Sequence, residues 1–499
     1  MLLLALQVTA CGSSRDQAAD VPQPSSTQAP SPNETPAAQP ASPSTARPAT
    51  PPSPPAEAPQ REWRSSLADL LEQAEQENQD QPGAPFSAMA FPQIDDAQAA
   101  VAGIRKLQGK HLTLYTDLPS QPAVDELPQV FDLAVPQWCA YFGVDPTRAA
   151  DWRMWAYVID RKESFQGIGL LPDDLPPFLH GFHRGYELWV YEQPSDYYRR
   201  HLLLHEGTHA FMALLAGGVG PPWYAEGMAE LLGTHRWRDG RLTLNYFPPH
   251  KEETPMWGRI KIVQDEFAAQ RGLTLTHVFA LGPRAHLNLE PYGWSWAAAA
   301  FLDGHPRTQQ VFRALRQQLR VDEPEFSGQL RQALGDAWPL TVEEWQLFVA
   351  NIDYGYDLQR EAVEYRPGAL PPAGGQTVTI RADRGWQSSG VMVEAGKSYY
   401  VTASGRYSVA QLPRPWDCEP NGITLRYHKG RPLGMLLGAV RPENFGEGQI
   451  SALLQPGPIG TSRTIRAPST GVLYLRINDS PAELADNAGT LQVRIEPAG

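Results

Sequence analysis

The stretch His201-Leu202-Leu203-Leu204-His205-Glu206-Gly207-Thr208-His209-Ala210-Phe211-Met212 decides how this chain is read. It places His-Glu-x-x-His inside an apolar run that suits a helix and ends at Gly217-Gly218. Residues four apart share a helix face, so the imidazoles of His205 and His209 can reach one ion. Glu206 lies about 100° further round the helix than His205, which suits it to act as a general base on a water beside the ion. A second helical pattern, Trp223-Tyr224-Ala225-Glu226-Gly227-Met228-Ala229-Glu230-Leu231-Leu232, follows a short Gly/Pro break. A helix hairpin would bring Glu226 beside the two histidines as a third ligand.

The two phrases together resemble the peptidase MA-like domains, a branch of the gluzincin zinc metallopeptidases. Sixteen residues separate His209 from Glu226, close to the gluzincin separation. The metzincin arrangement does not fit, because its glycine and third histidine would fall at Met212 and Leu215. The resemblance covers about residues 110–353. It implies zinc held by His205, His209 and Glu226, and peptide-bond hydrolysis with Glu206 as base. It also implies that Glu230, one turn after Glu226, orients a ligand histidine, and that Tyr292 donates to the oxyanion. The strand-like Glu187 to Tyr191 lies where the resemblance expects a sheet edge that pairs with a substrate peptide. His180, His183 and His201 read as structural or surface histidines outside the site, and Cys139 as a buried, inert thiol.

The 499 residues, 42% of them hydrophobic, leave room for two or three domains. With 42 basic against 55 acidic residues, a formal charge of -13 and no Lys/Arg-rich block, nucleic acid is not an expected partner. The three cysteines exclude a disulfide scaffold and a cysteine-rich zinc finger, so any metal must be held by histidine and carboxylate. Residues 1–11 resemble a bacterial lipoprotein signal, with Cys11 as the lipidated residue. Residues 12–60 are rich in Pro, Ala and Ser and read as a disordered linker. The two together imply a lipid-anchored protein of the cell envelope, on its periplasmic or extracellular face.

Residues 61–366 read as an α+β metallopeptidase-like domain. A helix is expected over Trp63 to Gln79 and from Val130 to Phe142; strands are expected at His111–Thr116, Arg153–Ile159 and Glu187–Tyr191, ahead of a helix-rich half that runs to Asp353. The Pro/Gly-rich residues 367–375 read as a linker. Residues 376–499 read as an all-β sandwich, with strands at Thr377–Ile380, Gly390–Val393, Tyr399–Ala403, Ile423–Tyr427, Leu473–Ile477 and Leu491–Ile495.

In that last domain Gly385-Trp386-Gln387-Ser388-Ser389-Gly390, Pro432 through Gly438, Ile477-Asn478-Asp479 and Asp486-Asn487-Ala488-Gly489 resemble the calcium-dependent galactophilic lectins of bacteria. The resemblance implies calcium on one loop through Asp479, Asp486 and Asn487, with a backbone carbonyl at Glu483, and carbohydrate as a partner. The sugar-contacting histidine of that family has no counterpart in Trp416 to Gly422, so galactose specificity does not follow. The alternative to a peptidase is a carbohydrate-binding envelope lipoprotein with a non-catalytic metal site, against which the intact Glu206 argues.

Overall fold

The computed structural model describes residues 91–176, 178–282 and 288–498. The lipoprotein-like start, the Pro-rich segment and the helical pattern of Trp63 to Gln79 lie outside the described residues.

The first sheet has five strands: β1 (Arg105–Gln108), β2 (Leu112–Thr116), β3 (Met154–Ile159), β4 (Gly181–Arg184) and β5 (Glu187–Tyr191), in the order β1-β2-β3-β5-β4. Its three parallel strands, β2, β3 and β5, are the three expected from sequence. They are covered on both faces, and β2 is buried at all five positions. The antiparallel edge strands β1 and β4 were not expected; each is four residues long and only partly buried or exposed, so neither carries a strong apolar pattern. One expectation is corrected here. The Glu187–Tyr191 strand is not an edge: it pairs with β3 on one side and β4 on the other. The free edge beside the histidine helix belongs to β4.

Helix α1 (Leu127–Phe142) packs on the sheet and sets Phe131 and Trp138 in the main core. Helix α2 (Asp196–Phe211) starts where Ser195 Oγ accepts the Tyr198 amide at 3.1 Å, with Asp196 in its first turn. It widens into a π turn over Met212–Ala216 and stops at Gly217, whose left-handed φ of 96° ends the run. Helix α3 (Pro222–Gly233) opens on a proline in its first turn. Contacts of His205 with Glu226 and of His201 with Glu230 show α2 and α3 running antiparallel. A short hairpin, β6 (His235–Arg238) and β7 (Arg241–Leu244), follows α3. Helices α4 (Arg259–Ala268), α5 (Glu290–Gly304) and α6 (Ala337–Asn351) complete the helical half that matters here. Among the described residues no helix is long and apolar enough to cross a membrane.

The C-terminal region is β-rich. Strands β8 (Gln376–Arg381), β10 (Ser398–Ser404), β11 (Tyr407–Ser408), β12 (Asp417–Cys418), β17 (Ser462–Arg466) and β19 (Ala488–Pro497) form one sheet. Strands β9 (Gln387–Val393), β15 (Leu436–Arg441), β16 (Gly457–Pro458) and β18 (Gly471–Ile477) form the other. Val401, Leu491, Val493 and Ile495 of the first meet Val391, Leu436, Leu475 and Ile477 of the second in one core. The expected strand at Ile423 is there as β13 (Ile423–His428), but it pairs only with β14 (Arg431–Leu433) in a separate hairpin. The expected linker is partly engaged: Ala369 bridges Val391 of β9, and the Ala369 amide donates to Gly390 O at 3.0 Å.

The sandwich is bonded to the helical half. Arg476 of β18 donates twice to Glu361, at 2.8 and 3.1 Å, and Arg441 of β15 donates to Glu343 of α6 at 2.7 Å. These pairs lie beside an apolar seam of Leu347, Val363, Trp386, Leu437 and Tyr474. A buried pair holds its geometry because stranding either charge costs about 3–5 kcal/mol.

Candidate metal centre

Three side chains converge between α2 and α3. His205 Nε2 and His209 Nε2 are 3.2 Å apart, and Glu226 Oε2 lies 3.4 Å from the first and 3.6 Å from the second. A tetrahedral zinc with ligand bonds of roughly 2.0–2.2 Å has edges of about 3.3–3.6 Å between its ligand atoms. The observed triangle fits that size. Glu226 Oε2 is buried and has no hydrogen-bond partner, so the oxygen that faces both imidazoles is left for a cation. Burial pushes the Glu226 carboxyl up, but His209 and His205 outweigh it and hold the group below the usual carboxylate range.

Glu206 is close by and chemically distinct. It is only 7% exposed, and burial raises its pKa against the pull of His205 and His209. β4 closes over it. A Cβ on Gly181 would lie 2.5 Å from Glu206 Oε1, so the strand can pass this close only because residue 181 has no side chain. The other residue of β4 on that side, His183, places Nε2 2.8 Å from Gly185 O, and burial lowers its pKa to about 4.

A second buried polar layer lies beneath the triangle. Glu230, 1% exposed, has Oε1 at 3.3 Å from His205 Nδ1 and Oε2 at 3.2 Å from His201 Nε2. Arg259 donates to the same two oxygens at 2.8 and 2.9 Å. The Glu230 carboxylate thus stands beside His205 Nδ1, the side of an imidazole from which a carboxylate orients a histidine whose Nε2 binds metal; that orienting role is what the resemblance implies for Glu230. Burial acts to raise the Glu230 carboxyl, but Arg259 and His201 hold it well below its ordinary value. His201, expected outside the site, is instead fully buried inside this layer, its ring 5.6 Å from that of Tyr198. His201, His205 and Glu230 therefore form a second metal-type group. The Glu230 carboxylate of this inner group is already paired with Arg259 through both oxygens, whereas Glu226 has no such cation partner among the described residues.

Tyr292 comes to the same place from the first turn of α5, its ring 5.9 Å from the His205 ring. Burial, then Glu226, Glu206 and Glu230, raise its pKa, so the phenol keeps its proton and remains a donor. His180 packs against Tyr198, with ring centroids 6.1 Å apart. Cys139 is buried in the core under α1, as expected.

The acidic loop of the sandwich is arranged differently. Asp479, 1% exposed, accepts from the Ser480 amide at 2.7 Å and from Asn487 Nδ2 at 2.9 Å, and burial pushes its carboxyl up to about 6. No lysine or arginine pairs with that carboxylate among the described residues. Asn487 Oδ1 is buried without a partner. Asp486 is exposed, and its carbonyl accepts from Gln411 Nε2 at 3.0 Å. Glu483 pairs with Arg426 at the surface. Asp479 and Asn487 are thus brought together, and the Asp486 side chain stays outside their hydrogen bonds.

No protein-family model matches the chain, and no curated protein matches it. Among solved structures it is similar to the EclA N-terminal domain, a PllA-like lectin, at 19% identity over 25% of this chain and 98% of that chain, with a TM-score of 0.20.

Proposed function

We propose that this chain is a zinc-dependent peptidase of the gluzincin type, with the metal held by His205, His209 and Glu226. The observation that carries the reading is the triangle of donor atoms with a separate buried carboxylate, Glu206, beside it. Bound there, zinc supplies Lewis acidity toward a carbonyl oxygen and toward a water, whose pKa it brings to about 7. Glu206 takes the proton of the attacking water and delivers it to the leaving nitrogen; its raised pKa suits both halves of that task. Tyr292, held protonated, donates to the negative charge that develops on the substrate oxygen.

The free edge of β4 offers backbone donors and acceptors to an extended peptide, and Gly181 brings that edge against Glu206. A peptide added there runs past the base. For the sandwich we propose a calcium-type cation on the loop of Asp479, Asp486 and Asn487, supported by the buried, unpartnered Asn487 Oδ1. Carbohydrate is the partner class that its sequence resemblance implies. The lipid at Cys11 and the cell-envelope location belong to the same proposal and rest on sequence.

The test is digestion of a peptide library by the wild type and by Glu206→Gln, with zinc measured in both. Hydrolysis by the wild type, lost with a chelator and restored by zinc, together with a fall of about 10²–10⁴-fold in Glu206→Gln at unchanged zinc content, is the expected result. Equal hydrolysis by the two proteins contradicts the assignment of the base. Glycan binding without hydrolysis by the wild type would favour the carbohydrate-binding alternative.

A further inference from the structure

We propose that Arg259 is a positioning residue for both walls of the metal centre, fixing Glu230 against His205 and carrying the ring of Tyr292. The inference rests on the reading of His205, His209 and Glu226 as the zinc ligands. Arg259 opens α4 and is 4% exposed. Its guanidinium is fully committed: Nε and Nη2 grip the two Glu230 oxygens, Nη1 donates to Trp257 O at 3.1 Å, and Nη2 also reaches Tyr198 Oη at 3.3 Å. A fork held at all of its nitrogens cannot rotate, so the plane of the Glu230 carboxylate is fixed with it. That plane decides where Oε1 meets His205 Nδ1, and so where His205 Nε2 points.

The same guanidinium lies 5.5 Å from the centre of the Tyr292 ring. The two helices meet closely at this point. A Cβ on Gly293, the neighbour of Tyr292, would lie 2.7 Å from Ile262 of α4, so α5 can rest on α4 here only with glycine at 293. Stacking on Arg259 therefore sets the Tyr292 ring relative to the ligand that Glu230 orients. Arg259 thus touches the two groups that flank His205, whose Nδ1 is 3.3 Å from Glu230 Oε1 and whose ring is 5.9 Å from that of Tyr292.

Arg259→Lys separates positioning from mere charge neutralisation, because lysine keeps the charge and loses the fork. The full chain is used, its fold is checked by circular dichroism, and zinc affinity is measured by competition with a chromophoric chelator. The expected result is a folded protein that binds zinc about 10–100-fold more weakly, with kcat lowered more than KM is changed. Zinc affinity and kcat both within threefold of the wild type overturn the proposal. Should Arg259→Lys fail to fold, Arg259→Gln, which leaves Glu230 in place and keeps a planar donor without the fork, is measured in the same way, and the same two outcomes decide. Because zinc affinity is read apart from hydrolysis, a wild type that binds zinc but cuts no peptide ends the peptidase reading and still judges Arg259. A wild type that binds no zinc overturns both.

Discussion

The helix hairpin of the first domain and the acidic loop of the sandwich begin from the same kind of signal, ligand-type residues at a family-like spacing, and they end differently. In the hairpin, spacing becomes direction. Four-residue steps put His201, His205 and His209 on one face of α2 and Glu226 and Glu230 on the facing side of α3, and the distances between them follow. In the loop, spacing gives nearness along the chain only. Asp479 and Asn487 turn inward and bond to each other, while Asp486, one residue before Asn487, faces solvent. A regular element converts sequence into a donor array, whereas a loop does so only when something else holds it.

The largest expected effect breaks the hairpin side of that contrast. Glu226→Ala removes one corner of the triangle, and its zinc affinity should fall by at least about 100-fold in chelator competition, with hydrolysis lost in parallel. Unchanged zinc binding would move the ion to the inner group of His201, His205 and Glu230. The loop should show a smaller effect. Calcium at about 100 times its Kd adds roughly 2.7 kcal/mol to the stability of a protein that binds it, which should raise the wild-type Tm by a few degrees and leave Asp479→Ala unmoved. A wild type indifferent to calcium would make the loop a hydrogen-bonded turn and widen the contrast.

The smallest effect concerns pH. Burial lowers the His235 pKa to about 3, with its ring bonded to Gly233 O at 2.7 Å. A histidine held neutral in the fold and free to protonate when unfolded adds nothing above about pH 6.5, and it costs about 1.4 kcal/mol per pH unit below that until its folded pKa is reached. Urea unfolding from pH 8 to pH 5.5, a span over which this group costs about 1.4 kcal/mol, should therefore show stability falling with acid, less steeply in His235→Gln. An equal slope in the two proteins would assign the acid sensitivity to other groups.

The central strands, the hairpin and the convergence of His205, His209 and Glu226, with Glu206 and Glu230 beside them, were legible in the sequence because each sits on a periodic element whose period is visible locally. His201 was misread as lying outside the site, although it stands four residues before His205 and the same helical step that pairs His205 with His209 would have placed it. Arg259 left no such trace, since it meets Glu230 from another helix 29 residues away in the chain. β4 also escaped, because Gly-Phe-His-Arg has neither the length nor the alternation of a strand, and only its pairing with β5 makes it one. In the sandwich, the bonding of Ala369 to β9 was hidden by a Pro/Gly-rich composition that reads as linker.

X-ray absorption and anomalous diffraction at the zinc edge, on the zinc-loaded wild-type chain, test the central claim most directly. The account predicts one ion bonded to His205 Nε2, His209 Nε2 and a Glu226 oxygen at about 2.0–2.2 Å, with Glu230 outside the ligand set. An ion bonded to Glu230 or His201, or a chain that retains no zinc, would contradict it.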